Sequence, residues 1–109
     1  MPIIVHLTYT GKEDHAKLFV QEMESRGIAS TIRKRPGNLK YDYYFPYSQA
    51  NSILLIDMWE DQEALDVHHA SPEMKQILDL RDKYGLEVHA ERFIASSDEI
   101  PEWDRSFLN

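Results

Sequence analysis

The 109-residue chain contains no cysteine. That excludes disulfides, thiolate nucleophiles and cysteine-ligated metal centres, so any chemistry must come from nitrogen and oxygen side chains. Long apolar runs are missing as well: nothing approaches the ~18 residues that cross a bilayer, and no basic region precedes an apolar stretch near Met1. The expected location is the cytoplasm, with no membrane partner. Positive charge is scarce, with 12 Lys and Arg against 19 Asp and Glu for a net charge of −7. Nucleic acid and anionic lipid are therefore poor partners, since both require a positive surface. The one basic cluster, Arg33-Lys34-Arg35, stands just before Pro36 and reads as the solvated end of a helix.

An apolar fraction of 42% suits a single small core, and the chain shows no internal repeat. Its most informative stretch is 57–74, DMWEDQEALDVHHASPEM. The preceding Ile53-Leu54-Leu55-Ile56 is a short, β-branched apolar run, which predicts a strand continuing through Trp59 and covered on both faces. Alternation puts Ile53, Leu55, Asp57 and Trp59 on one face, so a carboxylate and an indole share it. Asp61 is placed to N-cap the helix that follows. On that helix His68 projects between Ala64 and Leu65, inward, whereas His69 projects toward the rim. Ser71-Pro72 reads as an N-cap and first-turn proline opening a second helix, with Met74, Ile77, Leu78 and Arg81 at helical spacing.

Elsewhere, residues 3–9 form a first strand with His6 on the face of Ile4. Ala16, Phe19, Val20 and Met23 mark an amphipathic helix over 12–26, and 28–35 continues helically until Pro36-Gly37. Residues 39–47 alternate, with Tyr41, Tyr43 and Phe45 on one face, and pair as a hairpin with the Ile53 strand. The last strand spans 86–95, with His89, Glu91 and Phe93 on one face and Val88, Ala90, Arg92 and Ile94 on the other. The order is strand, helices, strand, strand, helices, strand, the split βαβ pattern of an α+β ferredoxin-like domain with a four-stranded antiparallel sheet. Helices cover one face of such a sheet, and a twofold homodimer meeting through the other face is expected to cover the rest. Residues 1–95 form the domain. In the tail, 96–109, Ile100, Trp103 and Phe107 are spaced like one side of a short helix opened by Pro101, expected to pack on its own domain or on a partner subunit, with disorder in solution as the alternative.

The strand order, the run Ile56-Asp57-Met58-Trp59-Glu60, and the following Ala64-Leu65, His68 and Ser71-Pro72-Glu73-Met74 together resemble the antibiotic biosynthesis monooxygenase family, in particular its quinol monooxygenase type. The resemblance covers about 1–95. It implies a dimeric α+β barrel and an enzyme that oxygenates quinols or polyphenols with O2 and without flavin, metal or haem. Asp57 stands where the family often has glutamate, which shortens the reach of that acid. Haem-degrading members ligate iron from the helix after His68, where this chain has Leu78 and apolar neighbours, so haem is not expected. The family also holds an isomerase, and fold membership does not fix the reaction.

Deprotonation makes such an aromatic electron-rich enough to meet oxygen itself, so the protein must supply a base, hydrogen-bonding groups and a dry pocket. His68 is the expected base. Trp59 would form a pocket wall and Asp57 would orient an imidazole or a substrate hydroxyl, with His6, Tyr41, Tyr43 and the rim residue His69 as further substrate contacts. The same residues also read as ordinary core: a bonded histidine, a packed tryptophan and a satisfied carboxylate. A metal is not expected, because His68 and His69 point about 100° apart on a helix. Two other functions fit the same pattern, an isomerase or proton-transfer enzyme on a small metabolite and a noncatalytic binding or stress-response domain.

Overall fold

A computed structural model describes residues 1–96 and 98–108. Ile3–Thr10 forms β1, followed by α1 (His15–Ser25) and α2 (Ile28–Arg33), β2 (Asn38–Tyr44), β3 (Ser52–Trp59), α3 (Gln62–His69), α4 (Pro72–Lys83), β4 (Glu87–Ile94) and the single-turn α5 (Glu102–Arg105). The sheet runs β2-β3-β1-β4, antiparallel throughout. This is the expected α+β ferredoxin-like fold.

Register sorts every side chain. Ile3 pairs with Trp59, Val5 with Asp57, Leu7 with Leu55 and Tyr9 with Ile53, so these eight residues share the face on which the helices pack. Phe19 and Met23 of α1, Ile28 and Ile32 of α2, Leu65 of α3 and Ile77 and Leu80 of α4 complete the core against it. The opposite face carries His6, Leu54, Ile56, Met58 and Phe93, all at least partly exposed in the single chain. Cover on both faces, expected from the apolar run of β3, is therefore not achieved within one chain.

Two loops fix where the helices start. Gly37 has φ +86°, and a Cβ there would lie 2.5 Å from Ala64 Cβ, so only glycine lets the start of β2 pass under α3. Its carbonyl accepts from the Glu60 amide at 2.9 Å, which anchors the β3–α3 turn. Asp61 then caps α3 as expected, its carboxylate accepting from the Ala64 amide at 2.8 Å. Ser71 occupies the N-cap of α4 with Pro72 following, but its hydroxyl donates back to the His68 carbonyl at 2.6 Å instead of capping forward. The break between α3 and α4 is thereby tied to His68.

The basic cluster stands at the end of α2 as expected, with Arg33 and Lys34 exposed, and two of its arginines are also held in ion pairs. Arg33 donates to Glu24 at 2.6 Å and to the Tyr41 carbonyl at 2.8 Å, joining α1, α2 and β2. Arg35 makes a two-bond fork with Glu73, at 3.0 and 2.9 Å, that joins the end of α2 to the first turn of α4. The expected strand over 39–47 ends at Tyr44, because Pro46 fixes its own φ and restrains the residue before it. Phe45 and Tyr47 are exposed in consequence. A register shift between Asn38 and Lys40 also turns Leu39 outward.

The tail forms only the one turn of α5, and Trp103 and Phe107 meet edge to face with 75% and 70% of their surface exposed. The apolar side expected there is present and does not bury itself in its own chain. Ser97 and Asn109, both within the predicted tail, lie outside the described residues. Among the described residues no helix is long and apolar enough to cross a membrane.

Candidate functional site

The site is built on the last four residues of β3. Asp57 and Trp59 lie on the helix-facing side, 4% and 0% exposed, two positions apart as the pleat requires. The Trp59 indole N–H donates to Asp57 Oδ1 at 2.6 Å. Burial pushes the Asp57 carboxyl up to about 7 against this single opposing donor. It is therefore divided between its acid and base forms near neutral pH.

Asp57 faces a cavity of about 350 Å³ between the sheet and the two helices α3 and α4, open to solvent along β4, where Val88, Ala90 and Arg92 are exposed. Val5, Leu7 and Tyr9 of β1 and Val88 and Ala90 of β4 form its floor, while Leu65, Met74, Ile77 and Leu78 form its roof. Five groups bring charge or proton chemistry to an otherwise apolar space: Tyr9, Asp57, His69, Arg81 and Arg92. A cavity of this size, mostly apolar with few convergent polar groups, suits a small aromatic molecule.

His68 is buried as the helix projection predicts, at 3% exposure, yet it is not among the residues lining the cavity. Its ring stacks on Trp59 with centroids 4.9 Å apart and planes 19° apart. Its Nδ1 is buried without a hydrogen-bond partner among the described residues. Burial, with His69 and Arg35 adding positive charge nearby and Glu73 opposing, pushes the imidazole down to about 4. His68 thus stays neutral at pH 7 and supports the indole from behind. Within the single chain the ring of His68, the expected base, stacks on Trp59 and lies outside this cavity.

Of the other residues singled out from sequence, His69 is exposed and lines the cavity rim. Tyr41 is buried beside this layer, 6.4 Å from the His68 ring, with its hydroxyl pKa raised by burial. Tyr43 instead lines a separate, more open groove with Arg33, Glu24 and Phe45, and its hydroxyl is buried without a partner among the described residues. His6 pairs with Ile56 and Glu91 on the far face, its ring 5.0 Å from Phe93, so the sheet separates it from Asp57. Within the single chain His6, Tyr41 and Tyr43 do not line one cavity with Asp57, because strand parity sends His6 to the other side and packing takes the rest.

Arg81 and Arg92 were not singled out. Both carried a signal, since each is a cation on an otherwise apolar face, Arg81 in line with Met74 and Ile77 and Arg92 alternating with Val88 and Ala90. Among the described residues the one cluster with metal-ligating spacing is Glu13, Asp14 and His15, solvated at the start of α1 and outside the cavity.

Comparison with known proteins agrees with this fold. The family model described as "Antibiotic biosynthesis monooxygenase" matches residues 2–80. An uncharacterized Synechocystis protein, sll1783, is 30% identical over 71 residues, 65% of this chain, and the chain spans about half of that relative's length (47%). A Deinococcus radiodurans structure, provisionally described as an antibiotic biosynthesis monooxygenase, superposes with a TM-score of 0.78 at 23% identity, covering 91% of this chain and 97% of that one. The Mycobacterium tuberculosis protein Rv0793 gives 0.70 at 21% identity, with 93% and 100% covered.

Proposed function

Because the chain belongs to the antibiotic biosynthesis monooxygenase family, we propose that it is an oxygenase that uses O2 to convert a quinol or polyphenol into a hydroxylated quinone. The observation that carries this reading is the Asp57 carboxyl, held near a pKa of about 7 and facing an apolar cavity of about 350 Å³. The Asp57 carboxylate takes a phenolic proton, and the cationic Arg81 and Arg92 favour the anion that results. That anion passes one electron to O2, and the semiquinone and superoxide combine at a ring carbon bearing hydrogen. The resulting peroxide anion takes that carbon's proton, the carbon becomes a carbonyl, and the O–O bond breaks to release hydroxide. The hydroxide takes the proton back from Asp57 and leaves as water.

The balance is quinol plus O2 giving hydroxyquinone plus water. One oxygen atom enters the ring, and the substrate supplies every electron, so the scheme calls on no separate redox cofactor. Trp59 and His68 act as positioning residues for Asp57, and His69 as a rim contact.

The site sits within one chain, but the far face of the sheet invites a second copy. Ile56, Met58 and Phe93 on that face, and the length of β4, are incompletely covered. A homodimer meeting through this face would cover them, and the apolar side of α5 could be buried in the same assembly.

The test is oxygen uptake with 1,4-dihydroxynaphthalene under ¹⁸O2, corrected for autoxidation. The expected product is a hydroxynaphthoquinone carrying one labelled oxygen. Uptake equal to the enzyme-free rate, or turnover without label in the product, would sink the oxygenase reading. Turnover of a substrate under nitrogen would favour proton transfer alone.

A further inference from the structure

We propose that the cavity takes aromatic substrates bearing a permanent anionic substituent, a carboxylate, and that Arg81 and Arg92 are the residues that select it. The proposal rests on the oxygenase site described above and deepens it by naming the substrate class.

The chain has six arginines. Four of them are paired with carboxylates: Arg26 with Glu22, Arg33 with Glu24, Arg35 with Glu73 and Arg105 with Glu99. The two without an ion-pair or hydrogen-bond partner among the described residues are Arg81 and Arg92, and these are the two that line the cavity. Arg81 is half-buried and Arg92 stands exposed at the open side along β4, so both cations border one largely apolar cavity. They reach it from different walls. Arg81 descends from α4 one turn beyond Ile77, and Arg92 rises from β4 opposite Val5.

A transient phenolate needs less than this. Among the lining residues Asp57 is the one acid, its Oδ1 is already engaged by the Trp59 indole, and near neutral pH it carries only part of a charge. Two guanidiniums that cannot be deprotonated therefore leave the empty cavity with a surplus positive charge. A carboxylate on the ring offsets that surplus and matches the forked donors of guanidinium, while the ring itself lies against Leu7, Met74 and Ile77. Burial and the Asp57 charge raise the pKa of the Tyr9 hydroxyl on the cavity floor, and Arg81 opposes them.

The test compares two air-stable probes on the full chain by isothermal titration calorimetry, 1-hydroxy-2-naphthoate and 1-naphthol. They share the fused rings and hydroxyl and differ by the carboxylate. The naphthoate is expected to bind about ten-fold tighter or more. Arg81→Gln and Arg92→Gln should each reduce that preference several-fold, and together bring it close to one. Arg81→Lys and Arg92→Lys, which keep the charge, should retain part of it, and thermal melts confirm that each variant is folded. Equal binding of the two probes, binding of neither, or a preference that survives both glutamine substitutions overturns the proposal. Oxygen uptake with the uncharged 1,4-dihydroxynaphthalene tests the oxygenase reading separately. Either can therefore fail while the other stands.

Discussion

The Trp59 indole nitrogen donates to Asp57 Oδ1 across 2.6 Å, from two positions further along the same buried face of β3. An indole N–H is a single neutral donor, so it holds the carboxyl in place without neutralising it. The carboxyl consequently stays desolvated, with its pKa up at about 7. One hydrogen bond orients the group while burial sets its titration.

Asp57→Asn should lower turnover of a quinol by about 100-fold or more, since the amide cannot accept the phenolic proton. In the unsubstituted protein kcat/KM should rise with pH through about 7 as the carboxyl ionises. Oxygen-electrode kinetics from pH 5.5 to 8.5 measure both effects. Activity within a few-fold of the unsubstituted protein in the Asp57→Asn variant would remove this carboxyl from the mechanism.

Trp59→Phe keeps a ring for His68 to stack on and removes the donor. Because the indole bond lowers the Asp57 pKa, its loss should move the midpoint of the pH–rate profile upward. A buried carboxylate stripped of its donor costs about 1–3 kcal/mol, so the loss of stability should be greatest at alkaline pH, where the group is charged. A fall in rate with an unmoved midpoint would mean that Trp59 only packs.

Asp57 and His68 should pull stability in opposite directions with pH. The folded pKa of Asp57 is raised from 3.8 to about 7, so the unfolded chain loses that proton first and stability falls as pH rises through this window. The folded pKa of His68 is lowered from 6.5 to about 4, so its contribution is complete above about 6.5 and is lost as pH falls toward 4. Each effect is on the order of 3–4 kcal/mol by linkage, and over the shared window they largely cancel. His68→Phe should expose the Asp57 trend, stability declining from pH 4.5 to 7, and Asp57→Asn should expose the reverse. Urea denaturation at four or five pH values decides between these slopes. Parallel slopes in the two variants would contradict the assignment.

Ile56→Glu places a charge at the centre of the uncovered sheet face, beside His6 and Met58. If that face joins two copies, the unsubstituted chain should sediment as a dimer at micromolar concentration and the variant as a folded monomer, through loss of apolar contact and repulsion between paired glutamates. Analytical ultracentrifugation distinguishes the two. A monomer in both cases would remove the sheet-to-sheet assembly.

Local chemistry made much of this protein legible from its sequence. The period of two over 53–59, the helical spacing of Met74, Ile77 and Arg81, the cap at Asp61 and the stop at Pro36-Gly37 depend on neighbours within a few residues, and the order of elements named the fold. Parity along β3 alone put Asp57 and Trp59 on one face, and projection alone separated His68 from His69. What only the tertiary structure decided is which of these side chains share a space. The pairing of β1 with β3 sent His6 behind the sheet, the stack on Trp59 took His68 out of the cavity, and the pairing of β4 with β1 put Arg92 on the cavity that Arg81 also lines. Those partners lie far apart in the chain. Periodicity assigns a side chain to a face, and packing against other elements determines what that face encloses.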